Sequence, residues 1–107
     1  MIVRNWPLPS VTANAETDLL TPDVGARAIM ASLIVCNNDG TSTATVMVKL
    51  TDAENTFLGS VWRGILAPGE SAYVDSRLFL AASTTPDKIR VLSDVANVSF
   101  IASGESS

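Results

Sequence analysis

Residues 27–50, RAIMASLIVCNNDGTSTATVMVKL, decide the fold class. From Ala28 to Cys36 every residue except Ser32 is apolar, an Asn-Asn-Asp-Gly turn comes next, and a second run rich in Thr and Val begins after it. A strand with one solvated face alternates apolar and polar residues, whereas a strand covered on both faces need not. This stretch therefore predicts two β-strands, the first of them covered on both faces.

The rest of the chain repeats this alternation of strand and turn signals at intervals of about 10–12 residues, which is typical of a β-sandwich or jelly roll. Pro68-Gly69 suits a type II turn, because Pro presets φ and Gly accepts the positive φ of the next position. No amphipathic helical pattern can be drawn. We therefore predict an all-β, antiparallel, jelly-roll-like sandwich, with strands near 17–21, 27–36, 43–51, 57–66, 71–80, 88–93 and 97–102.

The N-terminal segment differs from the rest of the chain. Pro7, Pro9 and Pro22 interrupt it, and its apolar residues follow no sustained period. Because proline removes a backbone donor and fixes φ, this composition favours an extended arm with at most short edge strands. We predict an N-terminal arm over 1–24, which reaches an adjacent subunit, and a β-sandwich domain over 25–107.

Composition narrows the function classes. The chain has 107 residues, 47% of them apolar, and a net charge of −4 with the basic residues scattered, so we expect no nucleic-acid partner. No apolar run approaches the roughly 20 residues that cross a bilayer, and the first residues do not read as a secretory signal. We therefore expect no membrane association. The lone Cys36 excludes an intrachain disulfide, as suits folding in a reducing cytoplasm.

The side-chain chemistry points away from catalysis. Histidine is absent, which removes the commonest general base and metal ligand. The acidic residues fall mostly at predicted turns, where carboxylates are ordinary solvated groups. Turns such as 37–39 and 52–55 are rich in oxygen but lack the spacing of a calcium loop. We predict no catalytic residue, no cofactor and no metal site.

The strand over 27–36 suggests how the protein assembles. Strict alternation places one apolar set on each face, and a thin sandwich has an interior on one side only. We expect one set to line the core and the other to meet a neighbour, another copy of the chain in a dimer or trimer. The sets are Ile29, Ala31, Leu33 and Val35 on one face, and Ala28, Met30, Ile34 and Cys36 on the other. The predicted interface residues are Trp6, Ile29, Met30, Leu33, Val35 and Trp62.

The block LLTPDVGARAIMASLIVCNNDGTSTATVMVKL, residues 19–50, resembles small structural proteins encoded by tailed bacteriophages. The turn and strand from Ile65 to Glu70, the basic-apolar strand of 87–91 and the closing run of 98–104 extend the likeness over 17–105. The resemblance implies a β-sandwich building block of the virion, on the head surface, the neck or the tail. It brings no catalytic residues.

The resemblance, with which the composition and the strand pattern agree, implies a non-enzymatic virion protein of a tailed bacteriophage, a multi-copy head decoration or cement protein or a neck- or tail-associated subunit. Its partners would be capsid, tail or neck proteins and its own copies, and it would fold in the host cytoplasm before joining the virion. The alternative is a carbohydrate- or receptor-binding module of a phage fibre. A building block should bury Trp6, Trp62 and Tyr73 in the core or interfaces, whereas a sugar binder should present at least two aromatic residues around one groove.

Overall fold

Two antiparallel sheets pack face to face in the computed structural model, which describes residues 2–75 and 77–107. In the described residues the strands are β1 (Ile2–Leu8), β2 (Thr17–Leu20), β3 (Ala28–Asn37), β4 (Ala44–Thr51), β5 (Phe57–Leu66), β6 (Ser71–Val74), β7 (Leu78–Leu80), β8 (Lys88–Ser93) and β9 (Val98–Ser106). The first sheet has the order β1-β9-β3, with β6 and β7 both pairing with the far side of β3, and the second has the order β2-β8-β4-β5.

The connections between these strands make the sandwich a jelly roll. Since β6 and β7 share one position beside β3, each sheet has four strand positions in the described part of the chain. The chain changes sheet at every connection except the β4–β5 hairpin and the β6–β7 break. This double-sheet winding confirms the predicted all-β, jelly-roll-like class. Residues 2–75 and 77–107 form no helix that is long and apolar enough to cross a membrane.

Most strands begin and end close to their predicted bounds. The agreement is within one residue for β2, β3, β4, β5 and β8, whereas β9 continues past the predicted end to Ser106 and the predicted strand 71–80 is divided into β6 and β7. The predicted type II turn is confirmed. Gly69 has a φ of 79°, and the N–H of Glu70 donates to the carbonyl of Ala67 at 2.9 Å.

The N-terminal segment packs on its own chain instead of extending away as an arm. β1 pairs with β9 along its whole length, and β2 pairs with β8 in the second sheet. Leu19 and Leu20 of β2 are buried core residues. Met1 lies outside the described residues. The described part of 1–24 therefore supplies one edge strand to each sheet. Its prolines are tolerated because an edge strand can direct the missing N–H away from its partner strand.

The core lies between the sheets and is almost entirely aliphatic. Phe100 is the largest fully buried side chain, and Leu20, Met30, Leu33 and Ile89 belong to the same core cluster with no exposed surface. The open sides of the sandwich, where β1 contacts β2 and β5 contacts β6, are covered by larger side chains. Trp6 and Trp62 pack there, one on each side, partly buried against the core.

A buried amide ties two turns together at one end of the sandwich. Asn37 has no exposed surface, and its Nδ2 donates to the carbonyls of Ser42 at 2.8 Å and Leu66 at 3.1 Å. Its Oδ1 accepts from the N–H of Asp39 at 3.0 Å. The side chain thus satisfies backbone groups of both the β3–β4 and the β5–β6 connections, which sequence patterns alone present as independent turns.

Asp39, in the β3–β4 turn, is expected to make stability depend on pH in acid. The backbone N–H groups of Thr41 and Ser42, and then the Thr41 hydroxyl, donate to its carboxylate and hold its pKa below the ordinary value of 3.8. A carboxyl group whose pKa is lower in the folded state than in the unfolded state stabilises the fold at pH values above its ordinary pKa. That stabilisation is lost as the pH falls through the pKa of the folded state. Asp39→Asn should remove this acid-dependent contribution to stability. Denaturant midpoints measured from about pH 6 to about pH 2 test it: parallel curves for the two proteins would contradict the assignment.

Candidate assembly surface

A β-bulge in β3 decides which side chains face outward. Met30 is opposite Gly104 of β9, but Ser32 is opposite Ser103, so that Ala31 is the extra residue between them. The extra residue exchanges the two faces. Met30 points into the core before the bulge, and Leu33 does so after it. The predicted division of this strand into two alternating sets is therefore wrong, because it assumed one uninterrupted alternation.

Gly104 permits this bulge. A Cβ built on Gly104 would lie against the carbonyl oxygen of Ile29, 2.8 Å from its carbonyl carbon and 3.1 Å from the Cα of Met30. Only a residue without a side chain allows the two backbones to approach so closely.

The six predicted interface residues fall into three places. Met30, Leu33 and Val35 are fully buried between the sheets, so their side chains are not available to a neighbour. Trp6 and Trp62 cover the open sides of the sandwich and remain partly accessible. Ile29 alone lies on the outer side of β3, opposite Phe79 of β7. That Trp6, Ile29 and Trp62 contact a neighbour stays a prediction.

The outer side of the first sheet carries a row of apolar side chains across four strands. Pro7 is opposite Ile101, Ile101 is opposite Ile34, and Ile34 is opposite Tyr73. Tyr73 is 68% exposed, Ile34 41% and Ile101 37%. These neighbours come from β1, β9, β3 and β6, so the row exists only in the folded sheet. We call it the apolar row.

A second, more open group lies on the same side near the bulge. Val3 and Ile29 flank Glu105, and Phe79 is opposite Ile29 on the other side. A depression of about 260 Å³ lies among these strands and also reaches Arg77. Between this group and the apolar row, the Ser103 hydroxyl donates to the Asn5 side chain at 2.8 Å. The outer side of the first sheet is thus mainly apolar with a few polar contacts.

The outer side of the second sheet is different, because it carries an ion network. Arg90 donates through Nε to the Asp18 carboxylate at 2.7 Å and lies 3.4 Å from Glu16, which also pairs with Lys49. Lys88 lies 3.5 Å from Asp18. The ion pairs that the described residues form all belong to this network. This side also carries exposed apolar residues, among them Ile65 of β5 at 69%. The apolar row of the first sheet differs in crossing four neighbouring strands without a charged member, and we therefore take it as the candidate contact surface.

Trp6, Trp62 and Tyr73 do not gather around one groove. Trp6 and Trp62 point inward at opposite sides of the sandwich, and the six-membered ring of Trp62 lies against the backbone of Gly64, where a Cβ would meet it. Tyr73 is on the outer side of the first sheet. Among the described residues, no group of three or more His, Cys, Asp or Glu side chains is placed to hold a metal ion.

A solved viral structure contains a chain with a similar fold. A chain of the T13 particle of infectious bursal disease virus superposes with a TM-score of 0.50 and 11% sequence identity, over 94% of this chain and 30% of that chain. The same fold is thus present in a virus particle. A chain from the structure of the Gt strain of that virus is also matched, with a TM-score of 0.33, 9% identity, and coverage of 99% and 30%.

This chain therefore spans less than a third of the length of the viral chains that it resembles. At such low identity the likeness establishes the jelly-roll fold and nothing about which residues make contacts. No protein-family model matches the sequence, and no curated protein matches it.

Proposed function

We propose that this protein is a non-enzymatic structural subunit of a tailed-bacteriophage virion, present in many copies as a head decoration or cement protein or as a neck- or tail-associated subunit. The observation that carries the proposal is the apolar row, which leaves Tyr73, Ile34 and Ile101 exposed side by side on one face of the first sheet. The resemblance of 17–105 to phage structural proteins and the jelly-roll fold shared with a viral-particle chain support it.

The apolar row is suited to packing against another virion protein. Removing apolar surface from water contributes about 25 cal/mol per Å², so several such side chains contribute a few kcal/mol per contact before the entropy of association is subtracted. A contact of this strength is weak for one pair of molecules. Repeated around a symmetric particle, such contacts reinforce one another through multivalency.

The charge distribution supports a position away from the packaged genome. The net charge is −4, and Lys49, Lys88 and Arg90 are engaged by Glu16 and Asp18 on the second sheet. A surface with this balance repels the phosphate backbone.

The aromatic placement favours a building block over a carbohydrate-binding module. Trp6 and Trp62 pack against the core at opposite sides of the sandwich, while Tyr73 stands on the outer face of the first sheet. A sugar platform needs two or more aromatic faces around one groove, and these three side chains are too dispersed to provide it.

Ile34→Glu tests the apolar row. We expect incorporation into purified phage particles to fall at least about tenfold, because the contact would bury an unpaired carboxylate, while the far-UV circular dichroism spectrum is unchanged. Ile65→Glu is the matched control, since Ile65 is 69% exposed on the outer side of β5 in the second sheet. Normal incorporation of the Ile34 variant, measured as copies per particle, would contradict the assigned surface.

A further inference from the structure

We propose that the free edge of β1 pairs with β1 of a second copy, antiparallel and about a two-fold axis at Asn5, so that the first sheets of two subunits become one continuous sheet. This inference goes beyond the virion role. It concerns the edge of the sheet and not its outer face, and it is tested on the purified protein without any particle.

Hydrogen bonds at both ends of the β3–β9 pair show which backbone groups of β1 are free. The N–H of Asn38 donates to the carbonyl of Asn97 at 2.8 Å, and the N–H of Ser107 donates to the carbonyl of Arg27 at 3.0 Å. Hydrogen-bonded and non-hydrogen-bonded pairs alternate along an antiparallel ladder. Both contacts therefore indicate that the odd-numbered residues of β9, including Ile101, direct their backbone N–H and C=O groups to β3. The even-numbered residues of β9 therefore bond to β1.

The backbone groups of β1 divide accordingly between β9 and the free edge. Four residues of β1 lie opposite even-numbered residues of β9 and direct their backbone groups towards β9: Ile2, Arg4, Trp6 and Leu8. Val3, Asn5 and Pro7 direct theirs to the free edge. The position of Pro7 agrees with this assignment, since proline in a sheet is tolerated where its missing N–H would face away from the ladder. The free edge thus offers two donors, at Val3 and Asn5, and three acceptors.

The other edges formed by the described residues carry features that discourage strand pairing. β2 has four residues and a register shift, β5 has two register shifts against β4, and the edge beside β3 is divided between β6 and β7. β1 instead keeps one continuous register with β9 over its seven residues. Its side chains at Ile2 and Val3 are 66% and 80% exposed. This is the open, regular edge of the molecule.

A second copy of β1 fits this edge in one register. Full overlap of Ile2–Leu8 with its own copy places Asn5 opposite Asn5, and the two backbones exchange hydrogen bonds there. Val3 then faces Pro7 of the second copy, and the N–H of Val3 donates to the carbonyl of that Pro7. Because proline has no N–H, the return hydrogen bond is absent, but only at the two ends of the paired strands. Ile2 faces Leu8, and Arg4 faces Trp6. Arg4 already lies 5.6 Å from the centroid of its own Trp6 ring, so the pairing extends an existing cation–π arrangement.

The register is self-complementary, which selects a second copy as the occupant. Four apolar pairs, two cation–aromatic pairs and one amide–amide pair are formed about the axis, and no like charges are opposed. A shift by two residues in either direction shortens the overlap, and in one direction it also places Arg4 opposite Arg4.

Hydrogen exchange of the wild-type chain is the first test. In a monomer the amides of Val3 and Asn5 should exchange rapidly while those of Arg4 and Trp6 are protected. In the proposed dimer all four are protected, and protection of Val3 and Asn5 increases with protein concentration. Sedimentation should report a dimer under the same conditions. A monomer at every concentration, with Val3 and Asn5 exchanging freely, overturns the proposal.

Asn5→Pro is the second test. It removes a donor that points away from β9, so the chain should fold, but it deletes both hydrogen bonds across the axis. We expect the dimer dissociation constant to rise at least about tenfold. Asn5→Thr is the matched control, because it keeps the N–H and a hydroxyl acceptor for Ser103, and it should remain dimeric. A dimer that survives Asn5→Pro uses another surface, which overturns the proposal and leaves the virion role untouched.

Discussion

Gly104→Ala should lower the free energy of unfolding by about 3 to 5 kcal/mol, the range of severe single substitutions. The new methyl group would overlap the Ile29 carbonyl oxygen, with the Met30 Cα also in close contact. Both obstacles are backbone atoms of a central strand, so no rotamer change can relieve the clash. Relief requires that β3 and β9 separate at the bulge, which breaks their ladder near the middle of the first sheet. Urea denaturation of the two proteins measures the difference.

Gly59→Ala is the control for this prediction. Gly59 also lies in a strand, β5, but a Cβ there would have no neighbour within 4 Å. We expect a change within about 1 kcal/mol, and in the stabilising direction if the unfolded chain loses entropy. If Gly104→Ala is as stable as Gly59→Ala, the close approach at the bulge is wrong.

Asn37→Ala is expected to cost about 2 to 4 kcal/mol of unfolding free energy. The substitution leaves the carbonyls of Ser42 and Leu66 and the N–H of Asp39 without their side-chain partner. Buried polar groups that lose a partner cost about 1–3 kcal/mol each when water cannot replace it, and the small cavity adds to this. Thermal unfolding followed by circular dichroism provides the measurement.

The neighbouring asparagine provides the comparison for Asn37. Asn38 is exposed, and its side chain bonds to the Ser99 hydroxyl at 3.0 Å, where water can substitute. Asn38→Ala should therefore change stability by less than about 1 kcal/mol. Equal losses for the two variants would show that the buried amide does not hold the turns together.

The sequence was sufficient to predict the fold class and most strand positions, because the core-facing residues follow simple alternation where strands are regular. In β4, Val46 and Val48 are buried as their spacing predicts, and in β9 Val98, Phe100 and Ala102 share the inner face. The Pro68-Gly69 turn was also predictable, since positive φ restricts the choice of residue.

Features that depend on two distant segments were not predictable in this way. The bulge at Ala31 is made possible by Gly104, far along the chain, and no periodicity within 27–36 indicates it. Pro7 obscures β1, because its missing donor is harmless only at a sheet edge that tertiary structure creates. The apolar row depends on tertiary structure in the same way. Its members come from four strands, and an uninterrupted alternation along β3 places Ile34 on the same face as the buried Met30.

The central position of β9 has a consequence for the order in which the molecule forms. β9 lies between β1 and β3 in the first sheet, yet it is synthesised after every other strand of the sandwich. Until it inserts, β1 has no partner within its own sheet, and the residues that pair at the end of the sheet, Ile2 and Ser106, are separated by nearly the whole chain. Bringing the two ends of so long a loop together is entropically unfavourable until stabilising contacts form between them. We therefore expect the first sheet to form late in folding, with the edge of β3 that receives β9 open to other chains until β9 inserts.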